Sequence, residues 1–173
     1  LLALWRVPGY EMSHGFDDQG AQFDKDGNQN DWWTAEDKAN FNTRTKVLAD
    51  YFSTVEAVPG RKINGQLTLG ENIGDTGGLN IAFRALQNTL KVQDLGVKDG
   101  FTPEQRFFLS WARVWASNMR PEYIEMIITT DPHSPSSARV NAALPHIDAW
   151  YKAFNVKKGQ KLFIPANKRA RIW

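Results

Sequence analysis

The chain has no cysteine among its 173 residues. That excludes disulfides and thiolate metal sites, so any metal must be held by His, Asp or Glu. Histidine is scarce as well: His14, His133 and His146 are the whole complement. No apolar run approaches the ~20 residues that span a bilayer, and no basic-then-apolar leader opens the chain. The formal net charge is only +2, too small to argue for nucleic acid or an anionic membrane surface as a partner. Lys168, Arg169 and Arg171 form one basic cluster near the end, for which a solvated tail is the simpler reading. There is no initiator Met, and the chain opens on the apolar string LLALW. Residues 1–173 therefore read as one domain cut from a longer protein.

Hydrophobic residues make up 42% of the chain, and seven Trp and ten Phe suggest broad helix interfaces. Residues 1 to about 16 read as an apolar segment turning into a short helix, in which Pro8 is awkward. The Asp-, Asn- and Gly-rich stretch 17–33 reads as loop. The string TAEDKANFNTRTKVLADYFSTVEAV, residues 34–58, predicts a helix with Thr34 as N-cap and Asp37 at the capping-box position. Asn64-Gly65 predicts a turn or small hairpin. A second long helix is expected from Glu71 to about Leu90, where Gly77-Gly78 either weakens the helix or marks close packing. Thr102-Pro103-Glu104-Gln105 starts a helix over EQRFFLSWARVWASNM, Pro121 starts another, and two or three short helices follow the loop DPHSPSS. The sum is mainly α with at most one small extended element.

The stretch PGYEMSHGFDDQG, residues 8–20, sets Glu11 and His14 in an E-x-x-H string. In the zinc-peptidase signature H-E-x-x-H, two His four apart share a helix face and reach one metal, and the Glu takes a proton from water. Here Tyr10 stands where the first His belongs. In ENIGD, Glu71 and Asp75 are also four apart, so one carboxylate could bind a metal while the other orients a ligand His. Each motif has a plainer explanation. E-x-x-H strings are common by chance, a Glu-Asp pair near a helix start complements the helix dipole, and His133 before Ser134-Pro135 suits a turn.

Taken together, EMSHGFDDQGAQFDKDG, LGENIGDTGGL, RPEYIEMIITTDPHSP and the ending ARIW resemble, in order, the C-terminal region of the neprilysin-like zinc metallopeptidases, peptidase family M13. The resemblance runs from about residue 9 to residue 173. It implies a mainly α-helical, thermolysin-like (gluzincin) catalytic domain, of which this chain is the C-terminal part. It implies zinc as cofactor, peptide substrates, and hydrolysis by metal-activated water on the N-terminal side of hydrophobic residues. An extracytoplasmic location is also implied, whether periplasmic, secreted or as a membrane-anchored ectodomain. By resemblance, His14 and Glu71 are metal ligands, Glu11 the general base, and Asp75 the carboxylate that orients a zinc-bound His. His133 is the oxyanion partner and Arg139 the residue that grips the substrate backbone.

The departures are local. The family's first zinc His falls on Tyr10, and WRVPGY replaces the apolar helix that leads into it. The upstream strand and lid of the family are outside this chain, so apolar faces carrying Phe107, Trp111 and Trp115 are expected to lie uncovered. Two rival readings follow: a non-catalytic peptide-binding relative that has lost zinc through Tyr10, and a purely structural helical domain.

Overall fold

A computed structural model describes residues 6–173; the expected apolar segment over 1–5 lies outside the described residues. The architecture is mainly α. Helix α1 spans Arg6–His14. Pro8 lies within it. Helix α2 spans Ala35–Phe52. Its N-cap Thr34 accepts from the Asp37 N–H at 3.1 Å and donates to the Asp37 carboxylate at 2.6 Å.

The predicted helix over 34–58 is too long. It stops at Phe52, where Ser53 and Thr54 turn their hydroxyls onto the Ala49 and Tyr51 carbonyls, at 2.8 and 2.7 Å. Strand β1, Glu56–Val58, then pairs antiparallel with β2, Arg61–Lys62. The hairpin therefore turns at Pro59-Gly60, where Gly60 has φ +75°, and not at Asn64-Gly65. Asn64 leads into the next helix instead: its side-chain oxygen accepts from the Gln66 and Leu67 N–H groups at 3.1 and 3.0 Å.

Helix α3, Leu69–Leu90, is the central element. It is followed by α4 (Pro103–Val114), α5 (Pro121–Thr130), α6 (Ser136–Asn141) and α7 (Asp148–Phe154). The full capping box of Thr102 and Gln105 starts α4, which ends five residues before the predicted limit at Met119. Phe107 and Trp111 are buried rather than uncovered, and the Trp111 indole donates to the Arg139 carbonyl at 3.0 Å. No helix among the described residues is long and apolar enough to cross a membrane.

The core divides along α3. Leu69 and Ile73 from its first turns pack with Phe41, Leu48 and Phe52 of α2 and Ala138 of α6. Leu79, Ala82, Phe83 and Leu86 from its later turns pack with Phe107, Phe108 and Trp111 of α4. Helix α1 lies antiparallel across the start of α3, and the Gly77-Gly78 pair permits this. A Cβ on Gly77 would lie 2.6 Å from the Ser13 hydroxyl, and one on Gly9 would lie 3.2 Å from the Gly78 Cα. Close packing of the site-bearing helix offsets the entropic cost of two helical glycines.

His146 is buried between this core and the chain end. Its Nδ1 accepts from the Ala170 N–H at 2.9 Å, and its ring meets Tyr51 edge-on at 4.7 Å. Burial first, and then the Arg169 charge, lowers its pKa from 6.5 to about 4. The fold holds a neutral imidazole, whereas the unfolded chain takes up a proton near 6.5. Its contribution is therefore complete above about pH 6.5 and is lost as pH falls toward 4, by roughly 3 kcal/mol in full. His146→Gln should flatten the fall in urea midpoint between pH 7 and 4. An equally steep fall in the variant would clear His146 as the cause.

Candidate functional site

The end of α1, the first turns of α3 and the loop before α6 converge on one polar cluster. Tyr10 and His14 look across α1 at α3 and meet each other edge-on, with ring centroids 4.6 Å apart. A Cβ on Gly74 would come within 3.0 Å of the Tyr10 ring and 3.4 Å of the His14 ring, so α3 presents a bare backbone slot to both. His14 is fixed at its far nitrogen: Nδ1 lies 2.7 Å from the Asp17 carboxylate. That bond leaves Nε2 facing Glu71, whose Oε1 is 3.9 Å away.

Asp17 is itself anchored. Its second oxygen accepts from the Gln19 and Gly20 N–H groups at 2.8 and 2.7 Å. Gly20 is required there, because a Cβ would stand 1.7 Å from the His14 carbonyl oxygen. Gly20→Ala should cost about 2 kcal/mol or more, since only backbone movement can relieve the overlap. It should also broaden the His14 ring signals in NMR spectra as the Asp17 anchor moves. A variant with unchanged stability and sharp His14 signals would refute this.

Glu71 is the hub. Its Oε2 accepts from the Tyr10 hydroxyl, faces His133 Nε2 at 3.1 Å and lies 3.8 Å from Arg139 Nη2. Burial raises the Glu71 pKa, and the His133 and Arg139 charges pull against it. His133 is half exposed and spans two carboxylates, with Nδ1 2.8 Å from Asp131. The His133 backbone N–H also donates to Asp131 at 2.8 Å and is the main reason the Asp131 pKa is lowered.

Beneath them, Arg139 donates to Asp75 through Nε at 2.7 Å and through Nη2 at 2.6 Å. Both side chains are buried. Burial pushes Asp75 up to about 6 against the pull of the guanidinium, which leaves it ionised at neutral pH. The Arg139 guanidinium also lies 3.9 Å over the Trp115 ring and 5.3 Å over Tyr10.

The structure thus brings His14, Glu71, Asp75, His133 and Arg139 together with Tyr10. Glu11 lies on the same helix with an exposed carboxylate that makes no hydrogen bond among the described residues. The carboxylate expected to orient a His was Asp75. At His14 that place is held by Asp17, and Asp75 is committed to Arg139. Asp17 and Trp115 join the site without a motif in the sequence that marks them. Asp17 lies in the loop just past the end of α1, three residues from His14, and that closeness in sequence is its one local signal; nothing local marks Trp115.

A zinc ion with bonds near ~2 Å could touch both His14 and Glu71. Among the described residues, however, no group of three His, Cys, Asp or Glu side chains is arranged to hold a metal. The third place is taken by the Tyr10 phenol, which spends its proton on Glu71. The donor set as spelled does not fit a tightly held zinc.

Comparison with known proteins places this geometry. The model of peptidase family M13 matches residues 5–170. Neprilysin of Homo sapiens is 37% identical over 172 residues, covering 96% of this chain and 23% of that protein. A neutral endopeptidase of Lactobacillus helveticus is 39% identical over 165 residues, covering 95% of this chain and 24% of that protein. The crystal structure of the Mycobacterium tuberculosis zinc metalloprotease Zmp1 with an inhibitor superposes with a TM-score of 0.94 at 41% identity. That match covers 99% of this chain and 28% of Zmp1. The chain spans about a quarter of the length of these relatives.

Proposed function

This chain belongs to peptidase family M13, a family of zinc metallopeptidases, and from that premise we propose that it forms the metal-helix side of an endopeptidase cleft. The substrate class is peptides, with a preference for hydrophobic residues after the scissile bond, and the location is extracytoplasmic. The observation that carries this reading is His14, clamped by Asp17 so that its free nitrogen faces Glu71 at 3.9 Å. A carboxylate behind an imidazole is the usual support of a ligand histidine.

The remaining roles follow from placement. Glu11, exposed and unpaired among the described residues, is the proton acceptor for the attacking water and returns that proton to the leaving amine. His133 is the donor for the developing oxyanion, held in position by Asp131. Arg139, fixed by Asp75 and Trp115, aligns the substrate backbone. His14 and Glu71 are the zinc donors, and residue 10 decides whether the set is complete.

The Tyr10–Glu71 bond favours a second reading, a relative that holds peptides without cutting them. The test is to assay full-length protein with Tyr10 and with Tyr10→His against peptides carrying a hydrophobic residue after the scissile bond. Chelator-sensitive cleavage by the Tyr10→His form supports the enzyme reading. Peptide binding without cleavage in both forms would replace it with the second.

A further inference from the structure

We propose that Tyr10 closes the metal centre of this chain, its phenol occupying Glu71 in place of a metal; this rests on the reading of His14 and Glu71 as a zinc site. Three groups converge on one oxygen, Glu71 Oε2: the Tyr10 hydroxyl, which donates to it, and His133 Nε2 at 3.1 Å and Arg139 Nη2 at 3.8 Å, which face it. The carboxylate is thereby partnered by protein groups without a metal ion. A metal approaching from His14 would have to displace the phenol from Glu71.

The phenol is also held where it lies. Its ring fills the slot over Gly74, meets His14 edge-on at 4.6 Å and has the Arg139 guanidinium 5.3 Å from its centre. Tyr10 therefore acts as a lock and not simply as a missing ligand. The two cases differ in what the loss of one oxygen atom does. Tyr10→Phe keeps the ring in its slot and frees Glu71 from a charge-assisted hydrogen bond. Zinc binding by the remaining donors should tighten by about tenfold, in line with the usual worth of such bonds.

The experiment measures zinc dissociation constants by calorimetry, and zinc-dependent shifts in melting temperature, for the full chain as spelled, Tyr10→Phe and Tyr10→His. The chain as spelled should bind zinc weakly and show no shift. Tyr10→Phe should bind about tenfold tighter, a gain that disappears when His14→Ala is added. Tyr10→His should bind one zinc tightly, with a raised melting temperature. Tyr10→Leu repeats the comparison if the Phe form folds poorly.

Equal or weaker binding by Tyr10→Phe, with tight binding by Tyr10→His, overturns the lock alone. Tight zinc in the chain as spelled that is lost in Tyr10→Phe makes Tyr10 a ligand and also overturns it. Failure of Tyr10→His to bind zinc removes the metal-site reading itself, and the lock falls with it.

Discussion

Adding Glu11→Gln to the Tyr10→His form of the full-length protein is expected to lower kcat/KM for peptide hydrolysis by about 10²–10⁴-fold while zinc stays bound. The size follows from the role. A glutamine keeps the shape of Glu11 and its place on α1 but cannot accept a proton from water. Zinc retention follows from the geometry: the donors that face one another are His14 and Glu71, and Glu11 is bonded to neither. Metal analysis beside the rate measurement separates the possibilities. Loss of zinc together with activity would make Glu11 a ligand or a structural support. Retained activity would move the base elsewhere, with His133 the next candidate because it faces the Glu71 carboxylate. Stability should hardly change, since the exposed carboxylate has no hydrogen-bond partner to lose among the described residues.

Local chemistry was readable where a local rule decides the outcome. Thr34 and Thr102 begin helices because each offers an oxygen to an N–H three residues on, a relation confined to four residues. Helix ends were harder to read. Apolar periodicity continued past Phe52, yet the hydroxyls of Ser53 and Thr54 and the pairing of Glu56–Val58 with Arg61–Lys62 took the chain out of the helix. The Gly77-Gly78 pair was ambiguous for a related reason. Its meaning lies in Gly9 and Ser13, which reach it only after α1 folds back across α3.

The site repeats the lesson. Spacing along one helix predicts which side chains share a face, but not which helix that face meets. Hence the spacing of Asp75, four residues after Glu71, places it on the site's face of α3 but cannot name the partner it bonds, Arg139 from α6. Asp17, three residues after His14, carries no helical spacing signal, because a loop turns it back onto that ring. Trp115 carried no local signal, because its contact is made by a guanidinium arriving from α6.

Asp75→Asn is expected to destabilise the fold by about 3–5 kcal/mol, because it removes the directly bonded carboxylate and leaves the buried Arg139 charge only Glu71, 3.8 Å away, as counter-charge. At roughly 2–4 °C per kcal/mol for a chain of this size, the melting temperature should fall by about 6–20 °C. Arg139→Met should cost a similar amount by stranding the Asp75 carboxylate. Burial pushes Asp75 up to about 6 despite two bonds from one guanidinium, so the cost of burying this carboxylate opposes its attraction to Arg139. Removing both partners, as Asp75→Leu with Arg139→Met, should therefore cost far less than the sum of the single changes. The pair would then be a positioning device kept at the expense of stability, since it stands Arg139 between Trp115 and the Glu71 hub. Urea midpoints of the four forms at pH 7 decide the matter. A single-variant loss below 1 kcal/mol, or a double variant as unstable as the two losses added, would show that the ion pair is not held as tightly as its 2.6 and 2.7 Å bonds require.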